Sequence, residues 1–110
     1  MKMGYYTAFD LEIENEYEIN AYAKTVEILT DRGVIGHALT KGLECSGSVK
    51  WYKHEVDMKA LSLQIKDALY KLSGDGEEKG DQWVKYFKNG KMQTCKAITT
   101  YPKFDKNKLE

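Results

Sequence analysis

Gln82–Lys88 (QWVKYFK), Asn89-Gly90 and Lys91–Tyr101 (KMQTCKAITTY) decide the fold of this chain. Asn-Gly between two runs of β-formers is the strongest short-range hairpin signal, because a type I′ turn needs positive φ at both central residues. Pro102 ends the second run, and 103–110 reads as a polar tail. Just upstream, Ala68–Ser73 (ALYKLS) predicts another strand, joined to Gln82 by the polar, glycine-rich stretch 74–81 (GDGEEKGD). Together these strands predict an antiparallel meander.

The N-terminal half alternates first and then changes period. Met3, Tyr5, Thr7, Phe9, Leu11 and Ile13 interleave with Gly4, Tyr6, Ala8, Asp10, Glu12 and Glu14. A period of two predicts a half-buried strand with its odd positions inward. Asn15 offers an N-cap, with Glu18 as its capping-box partner. Ile19, Tyr22, Ala23, Val26 and Leu29 follow at helical spacing, and Gly33 is the stop, so a helix is predicted over 16–31. Glycines punctuate 33–47, which reads as a loop with one short turn of helix. Ser48–Lys53 (SVKWYK) predicts a short strand. From His54, Met58, Leu61 and Ile65 share one helical face, with Glu55 and Asp57 in the first turn. The order β-α-β-α-β-β-β implies some parallel pairing through the helices. The predicted fold is a single α+β domain over 1–110, a ferredoxin-like two-layer sandwich. It has a mixed sheet, a C-terminal antiparallel meander and both helices on one face.

Composition narrows the function classes. At 110 residues and 42% hydrophobic, the chain supports one modest core. Basic and acidic residues number 17 each, so net charge is zero. That gives no general pull toward nucleic acid or anionic membrane. It favours self-association, an argument for a homodimer or a bound partner. Arg32 is the one arginine, whereas bidentate guanine reading and tight phosphate clamping prefer Arg, which makes nucleic acid the less favoured partner. Met1-Lys2-Met3-Gly4 runs directly into the alternating pattern, so no signal peptide is expected. No apolar run approaches membrane-spanning length. Two cysteines, Cys45 and Cys95, do not make a disulfide framework. A cytoplasmic protein with two free thiols is expected.

Four groups of residues are candidates for chemistry. Asp10, Glu12, Glu14, Glu16 and Glu18 share one parity with no base among them. On an extended segment such acids project from one face about 6.5–7 Å apart, close to the phosphate repeat of a DNA strand. The stripe can fill a basic groove on a partner, or it is simply a solvated strand face. Asp75, Glu77, Glu78 and Asp81 offer oxygen ligands without the pattern of a calcium loop, and a flexible acidic connection explains them. His37, Cys45, His54 and Cys95 lack zinc-ligand spacing. A Cys95–His54 nucleophile pair can assemble in space, but Cys95 on an alternating strand reads as a small core residue. Finally, the aromatics Tyr5, Tyr6, Trp51, Tyr52, Tyr70, Trp83, Tyr86, Phe87 and Tyr101 are interleaved with Lys50, Lys53, Lys71, Lys85, Lys88 and Lys91; Trp83 and Phe87 share one face of their strand and Val84 and Tyr86 the other. Trp83 and Tyr86 are therefore either core of a central strand, a protein interface, or a stacking platform for bases. No catalytic residue, metal site or cofactor is expected.

Trp51–Asp57 (WYKHEVD), Gly74–Glu78, Asp81-Gln82-Trp83 and Lys85–Lys91 in succession resemble small uncharacterised proteins of bacteriophages and mobile elements, and are similar to the YubB ferredoxin-like group among them. The match covers about residues 48–101. The resemblance implies a ferredoxin-like fold and a phage or mobile-element origin, and transfers no catalytic residue. With surplus aromatics and a charge divided between the halves, −3 over residues 1–50 and +3 over 51–110, it leads to an expected non-enzymatic protein that binds and inhibits a host protein. A component of an antiviral system, such as a CRISPR nuclease, is the expected target. The alternative is an RNA- or DNA-binding ferredoxin-like domain using Trp83, Tyr86 and neighbouring lysines.

Overall fold

The structure is a computed structural model and describes residues 6–15, 20–77 and 81–96. Within them lie β1 (Thr7–Ile13), α1 (Ala21–Asp31), α2 (His54–Gln64), β2 (Tyr70–Gly76), β3 (Gln82–Lys88) and β4 (Lys91–Lys96). The strands form one sheet in the order β1-β2-β3-β4, and every pairing in it is antiparallel.

The hairpin is built as its sequence dictates. Asn89 and Gly90 have φ of 50° and 79°, both in the left-handed region that the type I′ turn requires. Lys88 and Lys91 pair across it. The tip is docked rather than free: Gly90 N–H donates to Ser62 Oγ on α2, and Asp67 N–H donates to Asn89 Oδ1. A side chain at position 90 would collide with Leu63.

α1 ends as Gly33 predicts. Val34 N–H reaches back to Leu29 O and Gly33 N–H to Thr30 O, the paired bonds of a Schellman stop. Its start differs from expectation. The N-cap is Asn20, and residues 16–19 with Glu18 lie outside the described residues. Asn15 serves the sheet instead. Its Nδ2 donates to Asp67 O and its Oδ1 accepts from Leu69 N–H, so one side chain extends the β1–β2 ladder beyond its last backbone pair.

Two further expectations are corrected. Ser48–Lys53 is not a strand. Val49 exchanges both backbone hydrogen bonds with Thr7, but Trp51 then turns into the core, and the chain enters α2 at His54. Trp51 is held there by Phe9 and by its Nε1–H donating to Asp57 Oδ2 at 2.7 Å. The sheet is also antiparallel where a mixed one was expected. Without a strand at 48–53, both helices fall between β1 and β2. One helix would return the chain parallel; two, out and back, return it antiparallel.

Helices and core lie on one face of the sheet. Phe9 and Leu11 of β1, Tyr70 and Leu72 of β2 and Phe87 of β3 point into it, as the odd-inward parity of β1 predicts. Met58, Leu61 and Ile65 meet them from α2, and Leu29 from α1. Thr25 Oγ1 donates to Ala21 O, and that uses its single hydrogen. The buried Tyr70 hydroxyl must therefore donate to Thr25, at 2.7 Å, which ties α1 to β2. The loop 34–49 also fills space: Val34, Ala38, Leu39 and Leu43 are buried. It runs along the outer edge of β1, where Leu11 N–H donates to Leu43 O and Cys45 N–H to Asp10 Oδ1.

Candidate functional site

Strand β3 separates two environments by alternation. Trp83, Lys85 and Phe87 face the helices; Val84, Tyr86 and Lys88 face away. On the inner side, Trp83 pairs with Gly74 across the β2–β3 ladder. A Cβ at position 74 would lie 2.2 Å from the indole, so the absent side chain is the space the ring occupies. Trp83 then meets Phe9 edge-on at 5.8 Å and stacks on His54 at 5.0 Å.

His54 is the most chemically loaded group on this side. Its Nδ1 lies 2.9 Å from Trp51 O and its Nε2 lies 2.6 Å from Lys85 Nζ. A carbonyl can accept but not donate, so Nδ1 carries the hydrogen. Nε2 then accepts from the ammonium. Burial holds the imidazole pKa below its usual value and Lys85 adds to that, against the Trp51 carbonyl, Glu55 and Asp57, which act the other way. Lys85 also sits 4.3 Å from the Trp83 ring centroid and 3.6 Å from Glu55 Oε1. A pocket of about 210 Å³ opens between Phe9, Trp51, His54 and Trp83. Both imidazole nitrogens are already engaged, so this cluster reads as packing at the helix–sheet junction. Cys95 lies on the opposite face of the sheet, so the Cys95–His54 pair is not assembled. Cys95 is exposed rather than a core residue, because its ladder partner is the outward Val84.

The outer face is different. Ladder register sets its residues in four levels: Ala8, Asp75 and Gln82; then Asp10, Ser73, Val84 and Cys95; then Glu12, Lys71, Tyr86 and Gln93; then Glu14, Leu69, Lys88 and Lys91. Val84 and Tyr86 give it an apolar centre, with Ser73 and Lys71 beside them and Ala8 and Leu69 toward its two ends. Acids line the β1 side and lysines the hairpin side. A groove of about 500 Å³ runs over this face, between Asp10 and Lys71 on one flank and Tyr86 and Cys95 on the other. Among the described residues, the helices and the buried core all lie on the other side.

The sequence-predicted residues divide accordingly. Asp10, Glu12 and Glu14 are exposed and share the outer side, but they are not an unpartnered stripe. Asp10 accepts from Cys45 N–H, and Glu14 lies 3.8 Å from Lys71 Nζ. Glu16 and Glu18 lie outside the described residues, as do residues 97–110. Tyr86 belongs to the groove through its side chain, whereas the Trp83 ring is turned inward. Lys71, one of the lysines interleaved with the aromatics, lines the outer face beside Tyr86, together with Ser73 and Leu69, which were not singled out from sequence. Their signal was the register against β3, which needed the β2 start at Tyr70.

Among the described residues no cluster of three or more His, Cys, Asp or Glu is arranged to hold a metal ion, and no helix is long and apolar enough to cross a membrane. No protein-family model matches this chain, and no curated protein or solved structure matches it either.

Proposed function

We propose that this chain is a non-enzymatic binding protein that docks another protein on the outer face of its sheet. The observation that carries this reading is the groove: an apolar middle around Val84 and Tyr86, ringed by charge, on the face opposite the core. Docking surfaces combine an apolar centre with a polar rim in this way. The resemblance to phage and mobile-element proteins supports a host protein as the partner, a component of an antiviral system such as a CRISPR nuclease, met in the host cytoplasm. Two layers, with both helices on one side of an antiparallel sheet, are compatible with the ferredoxin-like expectation.

The nucleic-acid alternative has less support. Base stacking on a sheet uses several outward aromatics, and Tyr86 is the one supplied by the described strands; Lys71 and Gln93 flank it, and Asp10, Glu12 and Asp75 lie elsewhere on the same face. Acids there repel phosphate.

A photo-reactive benzoylphenylalanine at position 86, compared with one at Val56 on the exposed side of α2, tests the docking reading in host cells. Position 86 is expected to yield a discrete covalent adduct with one protein, and position 56 none. Equal labelling from both positions, or none from position 86, overturns it.

A further inference from the structure

The geometry points to a second copy of this chain as an occupant of the outer face, in a symmetric pair whose two-fold axis runs along the strands. This rests on the reading of that face as a docking surface and names one partner for it.

Two identical sheets can meet face to face by two kinds of two-fold axis in the interface plane. An axis across the strands lays β1 on its own copy. Asp10, Glu12 and Glu14 would then face the same acids, and like charges in a closed interface oppose association. An axis along the strands lays β1 over the partner's β4 and β2 over the partner's β3, and each residue keeps its level. Glu14 then lies over the partner's Lys91, with the partner's Lys88 one strand away. Lys71 lies over the partner's Tyr86, an ammonium above a phenol ring, and the two-fold repeats the contact. Ser73 lies over the partner's Val84, and small meets apolar in the middle. No level sets like charge on like charge. This is also the arrangement in which the acidic and basic sides of a neutral chain compensate each other.

The size of the face sets the strength of the pair. Four strands and four outward levels give a surface roughly 20 Å on a side. That is a few hundred Å², against about 800 Å² per partner in a standard interface. The pair is therefore weak, and a tighter-binding protein displaces it from the same face. Dimerisation shields Tyr86 and Val84 until such a partner arrives.

Sedimentation equilibrium of the full chain in reductant, up to millimolar concentration, tests this. The wild type is expected to associate reversibly to a dimer and no further. Glu12→Lys with Glu14→Lys, and separately Lys88→Glu with Lys91→Glu, are each expected to weaken self-association by about tenfold or more. An equimolar mixture of the two variants is expected to recover dimer, because the reversed β1 of one then faces the reversed hairpin of the other. A monomeric wild type overturns the proposal, as do variants that dimerise normally or a mixture that stays monomeric. Any of these leaves adduct formation from position 86 intact, so the pairing and the docking reading fail separately. Circular dichroism of each variant establishes that it is folded.

Discussion

The two faces of β3 are one residue apart in sequence and carry opposite assignments. Phe87 is fully buried beside Tyr70 and Met92; Tyr86, its neighbour, lines an open groove. Both are aromatic, and composition cannot tell them apart. The difference comes from what each meets across the ladder. Trp83 has Gly74 beneath it and His54 above, whereas Val84 has Ser73 and Cys95 beside it and no described element over it. An aromatic strand is therefore buried scaffold on one side and the wall of an open groove on the other.

The largest effect that separates the faces is deletion of each aromatic. Phe87→Ala is expected to cost about 3–5 kcal/mol, because a fully buried ring leaves a cavity. Tyr86→Ala is expected to cost under about 1 kcal/mol, since the groove is open to water. Urea unfolding measures both, and comparable losses would erase the contrast. Next is Gly74→Ala, expected to cost about 1–3 kcal/mol because the added methyl displaces the indole from its place against Phe9 and His54. In a Trp83→Leu background the same substitution should cost much less. An unchanged cost would show that Gly74 is needed for its backbone alone.

A third contrast is in pH. Burial holds His54 below its ordinary pKa in the fold, so the unfolded chain binds a proton there more readily. Stability is therefore full above about pH 6.5 and declines as pH falls below it, down to the folded pKa. His54→Gln should flatten that decline, whereas substitutions on the outer face should not. A slope that persists in His54→Gln would assign it to other groups. The smallest effect is that of the outer charges: Glu12→Lys and Lys91→Glu should each change unfolding free energy by under about 0.5 kcal/mol, so any change in association belongs to the face.

Local signals carried much of this architecture. Asn89-Gly90 fixed its turn, Gly33 its helix stop, and the parity of Phe9 and Leu11 the inward side of β1, because each depends on neighbours a few residues away. What sequence left dark depends on distant partners. Trp51 reads as a strand residue until Phe9 and Asp57 are known to hold it. Asn15 reads as a cap until Leu69 and Asp67 arrive opposite it. The groove was half legible: Asp10, Glu12, Lys71 and Tyr86 stood out by type, while Ser73 and Leu69 joined them through register alone.

The loop along β1 limits how this protein can assemble. Thr7 and Leu11 have already spent their outward N–H groups on Val49 and Leu43. A sheet that stays open at such an edge recruits another strand, then another, and growth has no natural end. Closing that edge removes one direction of growth. What is left to the outer face is a two-fold contact, which uses itself up when the second molecule lands.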